Sequence, residues 1–282
     1  MHHSEKDARS PLYLAAASDT ETNDWRSMIE IVPLPALKDN YVWTLRNATH
    51  AAVVDPGEAP PVLEYLAREK LRLAAILATH HHPDHVGGIP GLLAVTPGVP
   101  VYGPKGEPIA TLTRPVAEGD EVRIPELGIA LSVLDIPGHT RAHIAYYGVE
   151  SLFCGDTLFA CGCGRLFEGT PGQMMDSLAK LAALPDATKV YCGHEYTLAN
   201  IRFAQEVEPQ NTALALRLAR DRKLRDAGKP TLPSTLAEER ATNPFLRWRE
   251  PAVIESANKY LGARISDPVR VFAALRDWKN RF

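Results

Sequence analysis

The chain has 282 residues, enough for one or two domains that bury their own cores. Hydrophobic residues make up 45% and charged residues 23%, a balance that excludes wholesale disorder, and no apolar run approaches the roughly 18 residues that a membrane-spanning helix needs. The formal charge of -3 is unevenly spread: residues 1–194 hold 15 Lys and Arg against 23 Asp and Glu, and residues 195–282 hold 16 against 11. A basic C-terminal third beside an acidic body suits either an anionic ligand near the junction or a solvated helical surface.

Residues 1–27 mix Glu5, Asp7, Asp19 and Glu21 with a short apolar patch at 12–17, thinner than a signal-peptide core, and are expected to form a disordered extension. Apolar and β-branched runs between turn residues then predict strands at 29–32, 41–45, 51–54, 129–134, 152–154 and 190–192. Helical patterns at 61–70 and 174–183 lie among them, so the expected class is α/β rather than all-β. From Thr197 the texture changes to helix-friendly stretches at 200–207, 211–227, 251–261 and 268–278. The expected division is a catalytic domain at 28–194 and a helical domain at 195–282. Cys154, Cys161, Cys163 and Cys192 are too few to staple such a chain and show no Cys-x-x-Cys spacing, so reduced thiols are expected.

The densest chemistry follows the apolar run at 73–77. Thr79-His80-His81-His82-Pro83-Asp84-His85 reads as H-x-H-x-D-H. In an extended loop, His80, His82 and Asp84 share a two-residue period and point one way while His85 points another, so one segment can serve two neighbouring metals. Pro83 is expected to keep the segment from becoming a helix, and His81, out of phase, reads as a loop residue. His139, Asp156 and His194 each come after a predicted strand and directly after a glycine. Each alone reads more readily as a turn residue. Together with the histidine loop they make five imidazoles and two carboxylates, enough donors for two ions.

Imidazole and carboxylate without thiolate suit zinc, iron or manganese. A carboxylate such as Asp156 can bridge two ions, and two ions about 3.5 to 4 Å apart can share a water whose pKa falls toward about 7, so no separate base is needed. Gly-x-Ser-x-Gly and phosphate-loop motifs are absent. His143 is expected in a strand, His50 in a turn, and Cys161 and Cys163 in a loop. The residues by themselves predict a dinuclear hydrolase.

These motifs resemble the metallo-β-lactamase superfamily and, more narrowly, the glyoxalase II or hydroxyacylglutathione hydrolase family, over almost all of residues 28–282. The resemblance rests on Asp39-Asn40-Tyr41, the histidine loop, Pro137-Gly138-His139-Thr140, Gly155-Asp156-Thr157-Leu158-Phe159, Gly162-Cys163-Gly164-Arg165-Leu166-Phe167-Glu168-Gly169-Thr170, Gly193-His194-Glu195-Tyr196-Thr197, Asn243-Pro244-Phe245 and Arg276-Asp277-Trp278-Lys279. The histidine loop specifies only the superfamily; the later strings narrow it. The resemblance implies an α/β fold, an αβ/βα metallo-β-lactamase sandwich followed by a smaller all-helical C-terminal domain that covers the substrate cleft. It implies a first metal on His80, His82 and His139, a second on Asp84, His85 and His194, and Asp156 bridging, with Asp84 and Asp156 catalytic beside a metal-bound hydroxide that attacks the thioester carbonyl.

The implied reaction is hydrolysis of S-D-lactoylglutathione and related glutathione thioesters, the second step of methylglyoxal detoxification. Arg165, Phe167, Tyr196, Arg276 and Lys279 match the family's glutathione contacts, and the cations among them suit its two carboxylates. Two divalent ions per chain are expected, zinc first, with iron or manganese as alternatives. The expected partner is the thioester, without nucleic acid or membrane, on a cytoplasmic monomer. Phe167 departs from the tyrosine that many members carry, Cys161 from a small residue, and Arg141 enlarges the segment after His139. A phosphodiesterase-type nuclease on the same fold is disfavoured by the acidic whole chain. A one-iron persulfide dioxygenase is disfavoured by the complete two-metal set and by Arg276-x-x-Lys279, and a non-enzymatic metal-stabilised module by the same ligands.

Overall fold

The computed structural model describes residues 29–282, so the extension expected at 1–27 lies outside the described residues. β1 (Glu30–Ala36), β2 (Asn40–Arg46) and β3 (His50–Val54) form an antiparallel meander that β4 (Arg72–Leu77), β5 (Val101–Pro104) and β6 (Arg114–Val116) continue in parallel. Parallel neighbours need crossovers. α1 (Pro60–Glu69) supplies the one between β3 and β4, and α2 (Pro83–Val86) with α3 (Ile89–Val95) the one between β4 and β5. Side chains alternate between two cores: Tyr41, Trp43 and Leu45 of β2 face one, while Val42 joins Val62, Leu66, Ile89 and Leu92 of α1 and α3 in the other.

The second sheet is built from β7 (Glu121–Ile124), β8 (Ile129–Asp135), β9 (Ile144–Gly148) and β10 (Ser151–Gly155), which pair antiparallel in sequence. After β10 come a small hairpin, β11 (Leu158–Phe159) with β12 (Gly162–Cys163), and α4 (Pro171–Ala182). β13 (Lys189–Cys192) then returns parallel to β10, and the two-residue β14 (Ser234–Thr235) closes that edge. Leu131, Val133 and Ile144 meet the inner face of the first sheet, and the same apolar cluster runs on to Met174, Leu178 and Leu181 of α4. The result is an αβ/βα sandwich.

The rest is helical: α5 (Thr197–Val207), α6 (Thr212–Asp226), α7 (Leu236–Thr242), α8 (Pro251–Leu261) and α9 (Pro268–Arg281). Asn211, Thr235 and Asp267 cap α6, α7 and α9 through their side chains, as their residue types favour. Phe245, Val271, Phe272 and Leu275 continue the sandwich core, and α9 packs on α4, so the helices are anchored apolar-to-apolar on the sandwich. His50 opens β3 rather than sitting in a turn, and His143 stands just before β9 rather than inside it. All four cysteines are buried and free. No helix among the described residues is long and apolar enough to cross a membrane.

Polar anchors fix the β11–β12 hairpin on these helices. Glu239 of α7 accepts Arg217 Nη2 at 2.7 Å on one oxygen, and the Cys161 N–H at 2.8 Å and Asn243 Nδ2 at 3.1 Å on the other. Asn243 also donates to the carbonyls of Phe159 and Gly162, at 3.0 and 2.9 Å. Cys161, at φ 53°, is thereby held in a left-handed turn. Glu239 and Arg217 are both buried, and removing one partner of such a pair strands the other. Glu239→Ala is expected to lower the unfolding free energy by about 3–5 kcal/mol in urea titration; a parent midpoint would show that the pair does not hold the hairpin.

Candidate metal centre

The two sheets meet along one edge, at the ends of β2, β3, β4, β10 and β13. Ile144 N–H donates to Thr79 O at 3.0 Å, Gly193 N–H to Gly155 O at 3.0 Å, and Tyr41 N–H to Gly193 O at 2.9 Å. Asp55, at the end of β3, takes the Thr79 N–H and hydroxyl, each at 2.7 Å, and so sets the start of the histidine segment. Glycine is required where the turns crowd together. Gly155 sits at φ +47°, and a Cβ on Gly193 would lie 2.6 Å from both Asp156 Oδ1 and His85 Cε1.

All seven residues expected from the motifs converge at this edge. His80 Nε2 and His139 Nε2 lie 3.1 and 3.0 Å from His82 Nδ1. Asp84 Oδ2 lies 3.5 Å from His85 Nε2 and 3.4 Å from His194 Nε2. Asp156 stands between the groups: its Oδ1 is 3.3 Å from His85 Nε2, and its Oδ2 is 3.5 Å from His139 Nε2 and 3.3 Å from His194 Nε2. The histidine segment differs from its expected extended form. Pro83 does not prevent a helix but begins one, α2, with His82 at its N-cap. Proline at the first helical position loses no hydrogen bond. That turn takes Asp84 away from His80 and His82 and sets it beside His85 in the second group.

The donors fit a metal pair. Buried His85 Nε2 and Asp156 Oδ1 have no hydrogen-bond partner, although buried polar atoms are normally satisfied. The imidazole nitrogens of the first group stand at 3.0 and 3.1 Å, close to the about 3.3 Å between ligands of a tetrahedral ion bound at about 2.0–2.1 Å. Asp55, His80 and His85 also lie near one another, but both Asp55 oxygens are occupied by Thr79 and His85 Nδ1, so Asp55 orients rather than ligates.

The second nitrogen of most of these imidazoles is held, which fixes the ring and its tautomer. His85 Nδ1 is 3.0 Å from Asp55, His194 Nδ1 is 2.8 Å from Asp39 Oδ1, His139 Nδ1 is 2.8 Å from Arg165 O, and His80 Nδ1 is 3.1 Å from Thr79 Oγ1. Asn40 donates to Asp84 Oδ2 at 3.1 Å. His143 Nε2 accepts the Asp156 N–H at 3.2 Å, and its ring stacks on His80. Motif reading assigned no such role to Asp39, Asn40, Asp55 or His143. Each is distant in sequence from the group it holds, so no local spacing could have flagged it.

Charge divides the two groups. Burial pulls His80 well below its ordinary pKa and also lowers His82 and His139, leaving neutral rings with free lone pairs. Burial opposes charge on His85 and His194 too. There the carboxylates win: Asp156 and Asp55 push His85 well up, and hydrogen bonds to Asp156 and Asp84 raise His194 to about 10. Asp84 is held ionised chiefly by the His194 hydrogen bond, and Asp156, against its burial, by His85. Protons on these imidazoles stand where a cation would, so metal entry must displace them.

A cavity of about 620 Å³ opens onto His139 and Asp156 and is lined by all five expected contact residues. Phe167 is 63% exposed and presents its ring to those of His82 and His139, at 5.7 and 5.2 Å. Tyr196 stacks on His194 at 4.7 Å. Arg276 is buried and donates to Cys163 O at 2.7 Å, and Lys279 donates to Ala199 O at 3.3 Å. Arg202, not singled out from sequence, lines the same cavity. Among the described residues, Arg165, Arg202, Arg276 and Lys279 have no carboxylate partner. Burial, then Arg276, Arg202 and Arg165, pull Lys279 down to about 8.

Comparison with known proteins gives matches along nearly the whole described chain. Residues 38–194 match the family described as the metallo-beta-lactamase superfamily, and residues 195–282 the one described as hydroxyacylglutathione hydrolase C-terminus. A hydroxyacylglutathione hydrolase of Nitrosomonas europaea is 56% identical over 255 residues, covering 90% of this chain and 97% of its own. One from Alkalilimnicola ehrlichii is 57% identical over 256 residues, covering 90% and 100%. Among solved structures, ETHE1 from Myxococcus xanthus superposes with a TM-score of 0.60 at 25% identity, over 89% of this chain and 98% of that one. A further protein, solved in a di-iron-bound form, has a TM-score of 0.54 at 26% identity, over 77% and 100%.

Gly193→Ala is expected to drive Asp156 and His85 apart and to cut bound metal well below the parent content by elemental analysis, while the far-ultraviolet spectrum is kept. Full metal content in that variant would mean the crowding at Gly193 does not shape the centre.

Proposed function

The chain belongs to the hydroxyacylglutathione hydrolase family of the metallo-β-lactamase superfamily, and on that footing we propose that it hydrolyses S-D-lactoylglutathione and related glutathione thioesters to a hydroxy acid and glutathione. The observation that carries the reading is a two-group His/Asp centre at the floor of a cavity lined by four cations that have no carboxylate partner among the described residues. In this proposal His80, His82 and His139 would hold one divalent ion and Asp84, His85 and His194 another, with Asp156 available to both groups. Zinc is the proposed ion, with iron or manganese as alternatives, because the donor set contains no thiolate. Ions bound there supply Lewis acidity to the thioester carbonyl and make water acidic enough to ionise near neutral pH.

The chain's own residues bind, orient and move protons. Arg276 and Lys279 pair with the carboxylates of the glutathione portion, and Arg165 and Arg202 add positive potential along the same cavity. The Tyr196 hydroxyl has no hydrogen-bond partner among the described residues, and burial together with Asp39 keeps its proton on, so it donates to the bound peptide. Phe167 gives an apolar edge beside His82 and His139 against which the acyl group packs. Asp84, ionised and partly open to solvent, orients the attacking water. A thiol with a pKa of about 8.5 leaves as thiolate near neutral pH, so no protein acid is required. Reduced glutathione and four free thiols suit the cytoplasm.

The test is loss of thioester absorbance on S-D-lactoylglutathione before and after chelation, with metal counted on the same sample. Rapid, chelator-sensitive turnover with close to two ions per chain is expected. Two ions without turnover would discard glutathione thioesters, and one iron with oxygen uptake on glutathione persulfide would move the reading to a dioxygenase.

Lys279 gives this binding mode a pH signature. Below about 8 the amine is charged and pairs with a carboxylate; above it the charge is lost. Corrected for spontaneous hydrolysis, kcat/KM should therefore fall as pH rises through about 8 with kcat level, and Lys279→Arg should carry the plateau to higher pH. An unchanged descending limb in Lys279→Arg would remove Lys279 from substrate binding.

A further inference from the structure

His81 belongs to neither ligand group, yet three loops meet on it. Its Nδ1 contacts the Glu107 carboxylate, and its Nε2 lies 3.6 Å from Glu168 Oε1. Glu107 follows β5, and its side chain is 1% exposed. Its Oε2 also accepts the His81 N–H at 3.2 Å, and its Oε1 accepts the Thr140 hydroxyl at 2.7 Å and the Ala142 N–H at 3.0 Å. Glu168, one residue beyond Phe167, accepts the Arg141 N–H at 2.9 Å. Two carboxylates and one imidazole thus join the segments at 80–85, 139–142 and 165–168.

The placement of these donors matters. His81 lies between His80 and His82, and Thr140 directly follows His139, so Glu107 holds both sides of the three-histidine group through their immediate neighbours. A carboxylate this deeply buried is tolerable only when its lone pairs are filled, and the donors that fill them are fixed in turn. Coordination needs that rigidity, because His82 Nδ1 and His139 Nε2 come within 3.0 Å from positions 57 residues apart.

We propose that Glu107 is a positioning residue for the His80, His82 and His139 group, and that His81 passes the same constraint to Glu168 and so to the loop presenting Arg165 and Phe167 to substrate. The inference rests on reading those three histidines as metal ligands. It explains why an imidazole stands at position 81, where the ligand period leaves it unused: both its nitrogens reach carboxylates from loops that ligand spacing does not connect.

The experiment uses the full chain equilibrated against graded zinc buffers, with bound metal counted and thermal unfolding recorded on the metal-free form. E107A should bind one of its two ions about 10- to 100-fold more weakly and keep the other, and E107Q, which still accepts from Thr140 and Ala142, should regain most of that affinity. H81A and E168A should each raise KM several-fold, and the double variant should be no worse than the single ones, because both cut the same contact. H81A, at a partly exposed position, should also weaken one ion, so it carries the metal test should E107A not fold. Lower melting in E107A with both metal affinities at the parent value would overturn the proposal, since that is the signature of packing alone. Parent KM in H81A and E168A, or additive effects in the double variant, would overturn its second half. If the parent chain binds no pair of ions, the ligand reading fails first; if it binds two and E107A binds them equally well, only this inference fails.

Discussion

A buried carboxylate needs compensation, and Asp156 finds counter-charge in His85 and His194 and a third imidazole in neutral His139, each within 3.5 Å. No two of those histidines come from the same segment, so meeting the demand of one anion brings the ends of β10 and β13, the segment after β8 and the segment after β4 to one point. The backbone accommodates it. Gly193 has no side chain to collide with Asp156, and its N–H bonds to Gly155 O, so the turns bearing Asp156 and His194 are tied directly together. Without a cation the balance is kept by protons on His85 and His194, which is why the two ligand groups differ in charge.

The helical region completes what the sandwich begins. Its apolar face joins the sandwich core through Phe245, Phe272 and Leu275, while Arg202, Arg276 and Lys279 reach the cavity beside the centre. Like charges confined to one cavity repel, and that repulsion adds to burial in lowering the pKa of Lys279. An anionic substrate relieves it. The same helices hold the β11–β12 hairpin through Glu239 and Asn243, so the loop leading to Arg165 and Phe167 is fixed from below by α7 and from the metal side by His81 and Glu168. Binding and chemistry therefore share supports.

Much of this was legible in the sequence. The apolar and β-branched runs of β2 and β3 and the helix-friendly stretches of α6 and α9 are local, and those strands and helices formed within a few residues of where the patterns put them. The metal-type residues were legible because His80, His82, Asp84 and His85 are contiguous and the other three each follow a strand and a glycine. The short strands β5, β6 and β7, with three to four residues each, carry too little pattern to stand out and exist because neighbouring strands pair with them. The turn at Pro83 was misjudged for a related reason: proline forbids a helix interior but favours a helix start, and only the chain around it decides which applies.

The sequence by itself determined the kind of chemistry, because imidazole and carboxylate without thiolate, presented at strand ends, suit hard or borderline ions, and a basic C-terminal third suits an anion. Spacing alone set Asp84 with His80 and His82; the resemblance implied its place with His85 and His194, and the tertiary structure brings that about because α2 turns Asp84 toward His85 and away from His80. Only the tertiary structure decided which polar residues stand behind them. Asp39 reaches His194, Asp55 reaches His85, and Glu107 reaches Thr140 across separations of 155, 30 and 33 residues. A hydrogen bond depends on distance in space, and distance along the chain carries no record of it until the two sheets have closed on each other.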